Sequence, residues 1–195
     1  MGEFHMSDKL FADDGHISDF AMYSWGDLDD RFHEYVRGYK KAADCVVAHA
    51  LELNLGARDC LVAPIVFLYR QYIELRLKRI YLLNSSVSEQ DKKETIGKVN
   101  HSLSKMWDKV KDLLFQMIDG RGPNERATEI IETIERYVKE FDGFDPESIA
   151  FRYPIQKSLD FVHQGKSKEV NLRNLAEQMD NLDTLFWGIE NELHY

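Results

Sequence analysis

Between Pro64 and Leu83 the run PIVFLYRQYIELRLKRIYLL sets Arg70, Glu74, Arg76, Lys78 and Arg79 into otherwise apolar sequence. A helix apolar enough to lie at the centre of a domain rarely carries so many charges without partners or a task. Arg70/Glu74 and Glu74/Lys78 are four residues apart, so each pair shares a helix face and can form an ion-pair ladder. Downstream lie His101, between Asn100 and Ser102, and the dipeptide Arg152-Tyr153. Arg70, Glu74, Arg76, His101, Arg152 and Tyr153 form the candidate binding set, and each has a simpler structural reading. His101 stands where helix-capping residues stand, so its ring can bond a backbone group. Arg152, followed by Tyr153-Pro154, is held toward extended backbone, and its guanidinium can reach back to a carboxylate such as Glu74 as a structural clamp.

Other chemistries find little footing. A di-iron bundle needs Glu-x-x-His pairs that point two ligands inward one turn apart, and no histidine has Glu three residues before it. Asp30/His33 and Asp160/His163 have the spacing with aspartate, the first at a helix start and the second in an expected loop. Glycine-rich phosphate loops, CxxC and GxSxG are absent from the sequence. Neither a metal nor a cofactor is expected.

With 195 residues, 44% of them hydrophobic, the chain can bury one substantial core. Its net charge of −9 argues against general nucleic-acid or membrane-surface binding and restricts any RNA contact to a local patch. Cys45 and Cys60 make neither a disulfide framework nor a metal site, and a cytoplasmic, reduced setting is expected. The most apolar run, Leu61 to Leu68, is too short to span a membrane. MGEFHM, residues 1–6, reads as an expression-vector scar, leaving an arm over 7–26 and one domain over 27–195.

The arm lacks a sustained period; Phe11, Phe20, Tyr23 and Trp25 suggest that it packs on its own bundle or on a second subunit. From Asp27 a stripe through Leu28, Phe32, Tyr35, Tyr39, Ala42, Val46, Ala50 and Leu53 predicts a helix over 27–54, with Asn54 and Gly56 as its stop. Asp59 is a candidate cap for the central helix, whose apolar positions run almost all round. Residues 84–99 read as a loop with at most a short helix, and further helices follow over about 100–118, 124–142 and 171–193. Alternating SLDFV and KEVNL around HQGK suggest a small hairpin near 157–171. The expected fold is all-α, an up-and-down bundle of about five helices.

The order YRQYIELRLKRIYLL, a polar loop, NHSLSKMW, then FRYP before a closing helix resembles the HEPN superfamily of helical domains over residues 60–193. That resemblance implies a homodimeric bundle associated with RNA cleavage, nucleotide binding or regulation, in toxin–antitoxin or phage-defence systems. Ribonucleolytic members carry Arg, four to six residues, then His; no histidine here has Arg at that distance, and Lys157 before His163 is the nearest imitation. The expectation is therefore a divergent module that binds a nucleotide, an RNA segment or a protein partner. The competing readings are a metal-independent ribonuclease with His101 as general base and Arg152 as phosphate clamp, and a purely structural interaction module.

Overall fold

The computed structural model describes residues 16–23, 25–84, 86–119, 125–146, 148–156, 158–162 and 169–193. The leader 1–6, the arm up to residue 15, Lys157, His163 and the HQGK turn lie outside the described residues.

Asp27 starts α1 (Leu28–Glu52) with a capping box in which it and Asp30 bond each other's backbone N–H. Asn54 does not trail α1 as a stop; its side chain caps α2 (Leu55–Asp59) by accepting from the Ala57 N–H at 3.0 Å. Asp59 consequently ends α2 and does not cap α3 (Val62–Leu83), which has no side-chain cap. Pro64 sits in the first turn of α3, where a missing N–H costs no helical bond.

The polar stretch 84–99 contains a longer helix than expected, α4 (Glu89–Val99), capped by Ser88. It has few apolar residues, yet Thr95 and Val99 are buried, and the Thr95 hydroxyl lies 2.9 Å from that of buried Tyr81. Then come α5 (Leu103–Asp119), α6 (Glu125–Phe144) and α7 (Leu172–Leu193). Among the described residues, the strand-like pairing is one antiparallel bridge, Ile155 to Phe161, displaced toward the N-terminus from the expected hairpin.

The all-α bundle is organised on α3, half of whose 22 residues are buried. One side of α3 packs along α1, another meets α5, and α7 closes against α1, α3 and α6. Tyr69, Tyr72, Ile73 and Leu77 join Ala43, Val47, Trp107, Ile134, Leu182 and Phe186 in one core. Among the described residues, no helix is long and apolar enough to cross a membrane.

Candidate functional site

Residues 74 and 76 of one helix are separated by about 200° around its axis, so the charges of α3 divide between two sides of the bundle. Arg70, Glu74 and Lys78 turn toward the start of α5 and the loop after α6. Arg76 and Arg79 turn toward α7 and the start of α1.

On the first side Arg70 is fully buried and each of its three side-chain nitrogens donates. Nε reaches the Asp145 carbonyl oxygen at 3.2 Å, Nη1 reaches Glu74 Oε2 at 3.2 Å, and Nη2 reaches the His101 carbonyl oxygen at 2.7 Å. Burial pulls the Arg70 pKa below its ordinary value, opposed by Asp145 and Glu74. Glu74 is equally engaged: Oε1 accepts from Lys78 Nζ at 2.6 Å and from His101 Nδ1 at 3.0 Å. The sequence reading missed Asp145. It is buried, its Oδ1 accepts the N–H groups of Ile149 and Ala150, and its Oδ2 lies 3.8 Å from Arg70 Nε. Its signal was present in FDPES, since aspartate in a Pro-containing loop commonly bonds nearby backbone N–H groups.

Two backbone irregularities flank this cluster. Asn100, immediately before His101, has φ of 51°, and Ser148, three residues beyond Asp145, has φ of 58°. Such conformations disfavour ordinary side chains and persist where surrounding contacts over-determine them. Arg70 supplies such contacts at both places by bonding the carbonyls of His101 and Asp145.

The expected clamp therefore exists, with a different arginine. Arg152 does not reach Glu74. It lies in a turn rather than extended backbone, with its N–H and that of Tyr153 both bonding the Ile149 carbonyl. Its Nε donates to the Ser148 carbonyl, and its guanidinium stands 6.0 Å from the Phe67 ring centroid. Phe67 and Glu74 are two turns apart on α3, about 10 Å along the axis. His101 and Arg152 are thus attached to well-separated points of one stripe. Ser102, and not His101, caps α5 by accepting from the Lys105 N–H at 3.3 Å. The His101 side chain is 40% exposed, and its ring is oriented by a carboxylate at Nδ1, leaving Nε2 as the acceptor of the neutral ring. Tyr153 is exposed beside Arg152.

On the second side Arg76 bonds Asp183 Oδ1 and Glu190 Oε1, each at 2.6 Å, and lies 5.9 Å from the Tyr72 and Phe186 ring centroids. Tyr72 donates to the same Asp183 oxygen at 2.6 Å. Arg79 extends the chain of charges to Asp29 and to Glu190. Burial works to lower the Arg76 pKa, but Tyr72, Glu190 and Asp183 outweigh it and hold it above the ordinary arginine value. A neighbouring knot joins Lys40 to Asp44 and Asp180, and Tyr69 donates to Asp44 at 2.7 Å. Burial works to lower the Lys40 pKa, yet its bonds to both aspartates raise it above the usual lysine value.

Arg70, Glu74 and His101 thus come together, while Arg76 belongs to a separate network and Arg152 with Tyr153 stands apart at the surface. Among the described residues, no group of three or more His, Cys, Asp or Glu side chains is placed to hold a metal ion. No family model matches this chain, and comparison with curated proteins and with solved structures finds no significant match.

Proposed function

We propose that this chain is a HEPN-like binding and regulatory module that works as a homodimer through protein contacts, with the charges of α3 as its internal clamp. The observation that carries this reading is the engagement of Arg70: its three nitrogens bond three different acceptors inside the bundle. Arg76 is likewise buried and paired with two carboxylates. Arginines held this way offer no fork to a phosphate without breaking bonds that close the fold. A net charge of −9 also weakens attraction to a polyanion. Apolar surface instead gathers on the arm and on α1, where Ile17, Met22, Tyr23, Leu28 and Tyr35 are exposed. The resemblance to HEPN domains supports a toxin–antitoxin or phage-defence setting for such a module.

A second reading, a metal-independent ribonuclease, draws support from one geometry. Glu74 orients His101 at Nδ1, and the imidazole side chain is partly exposed, as a general base that meets its substrate requires. Incubating the purified protein and His101→Ala with single-stranded RNA separates the two. The binding-module reading expects no cleavage by either protein; cleavage by the wild type that His101→Ala abolishes would establish the ribonuclease instead.

A further inference from the structure

The arm and α1 line an open groove of about 330 Å³ that includes Met22, Tyr23, Trp25, Tyr35, Gly38 and Tyr39. Three independent features of this face point outward from the chain. Ile17, Met22 and Tyr23 are each 86% exposed, and the short 3-10 turn Ile17–Asp19 that opens the described arm buries nothing. Apolar side chains that protrude so far gain nothing from their own bundle. Second, Tyr35, Gly38, Tyr39 and Ala42 follow the i, i+3, i+4, i+7 spacing, so beside its core stripe of Val36, Ala43, Val47 and Ala50 α1 carries a face of aromatic and small residues, of which Tyr39 packs partly on the core and Tyr35, Gly38 and Ala42 are exposed. Third, Gly38 lies in the interior of α1, where glycine costs about 1 kcal/mol relative to alanine. A Cβ built on it meets no atom within 4 Å, so among the described residues no neighbour requires the glycine.

We infer that this face is the homodimer interface: the arm of one copy lies in the groove beside the arm of a second copy, and Gly38 is the point of closest approach. This rests on the interaction-module reading and names the surface it uses. A two-fold dimer must bury the same patch on both copies. Here one patch supplies both parts of the fit, protruding Met22 and Tyr23 and an adjacent notch at Gly38. Together with Phe20, Trp25, Leu28 and Tyr35, the exposed apolar side chains present on the order of 800 Å², about one partner's share of a stable interface. Aromatic residues and methionine are the types enriched in such interfaces.

Light scattering coupled to size exclusion tests this on the full chain, with two variants at exposed positions. Met22→Glu/Tyr23→Glu places charge on the arm, and Gly38→Leu fills the notch while favouring the helix. The wild type is expected at twice the chain mass and both variants at the single-chain mass, with helical circular dichroism retained. A wild type of single-chain mass, or a dimer that survives both substitutions, overturns the interface. A wild type of single-chain mass also removes the homodimer of the proposed reading, whereas a dimer that survives the substitutions overturns this interface alone, so the two failures are distinguishable.

Discussion

Arg70 Nη2 donates to the backbone carbonyl oxygen of His101 at 2.7 Å, from the middle of α3 to the second residue before α5. The two are 31 positions apart, and the same guanidinium holds the Asp145 carbonyl, 75 positions away. One side chain therefore joins the central helix to both segments that enter or leave the α5–α6 hairpin. Arg70→Lys keeps the charge but replaces a planar fork by a single ammonium that cannot serve acceptors in three directions. The expected cost is about 2 to 3 kcal/mol, the range for losing charge-assisted bonds while acceptors stay buried. Urea denaturation of the variant measures it.

Asp145 holds its own loop together as well as facing Arg70. Asp145→Ala leaves the Ile149 and Ala150 N–H groups without their acceptor and removes a carboxylate beside the guanidinium. Asp145→Asn can still accept those two bonds through its side-chain oxygen. Alanine is expected to cost roughly 1 to 3 kcal/mol more than asparagine, by the penalty for orphaned buried donors. Thermal unfolding of the two variants side by side reads the difference.

The α4 contact offers a test that separates a hydrogen bond from packing. Tyr81 and Thr95 are both buried and bond each other's hydroxyl. Thr95→Val orphans the tyrosine hydroxyl and is expected to cost about 1 to 2 kcal/mol, whereas Tyr81→Phe/Thr95→Val removes both polar groups and costs less. Chemical denaturation of the single and double variants checks the order, and a double variant worse than the single one contradicts it.

Asp183 gives the fold a pH dependence of predictable sign. Burial pushes its carboxyl upward, but bonds from Tyr72 and Arg76 outweigh burial and hold its pKa below the ordinary aspartate value. A lowered folded value means that ionised Asp183 contributes stability above the unfolded pKa, about 3.9, and that this contribution disappears as pH falls through the folded value. At neutral pH the wild type should therefore be more stable than Asp183→Asn. Denaturation midpoints should converge once the pH drops below about 4, where the carboxylate begins to protonate. A gap that stays constant down to acid pH would show that Asp183 is not the group responsible.

The five long helices are legible from their apolar stripes, as in Ile131, Ile134, Val138 and Phe141 of α6, although the buried face of α1 is Val36, Ala43, Val47 and Ala50, rotated from the expected stripe so that Leu28, Tyr35 and Ala42 are exposed. Local pairs were legible too: Arg70 with Glu74 and Glu74 with Lys78 are set by spacing along one helix. What sequence did not show was longer in range or too short in pattern. The partners of Arg76, Asp183 and Glu190, lie over 100 positions away, and no local rule brings α7 against α3. Residues 89–99 lack a broad apolar face, so α4 depends on its Ser88 cap and on a few side chains that touch the core. Arg152 does not reach Glu74 because the chain turns at Ile149 before the proline can extend it, and Arg70 is the arginine that pairs with Glu74.

The central claim is that the polar cluster on α3 holds the bundle together, and a double-mutant cycle on Arg70 and Glu74 tests it most directly. Arg70→Met leaves Glu74 Oε2 without its partner and removes the cation facing Asp145, while Lys78 and His101 stay on Glu74 Oε1, and it is expected to cost about 3 to 5 kcal/mol, as is usual when one partner of a buried ion pair is removed. Arg70→Met/Glu74→Leu should cost less than the sum of the two single changes, because the Arg70–Glu74 pair is removed as a unit and neither member is left facing the other's vacated place. Urea denaturation that yields a coupling of 1 kcal/mol or more is the predicted result. Strictly additive losses, or single variants as stable as the wild type, would contradict the clamp.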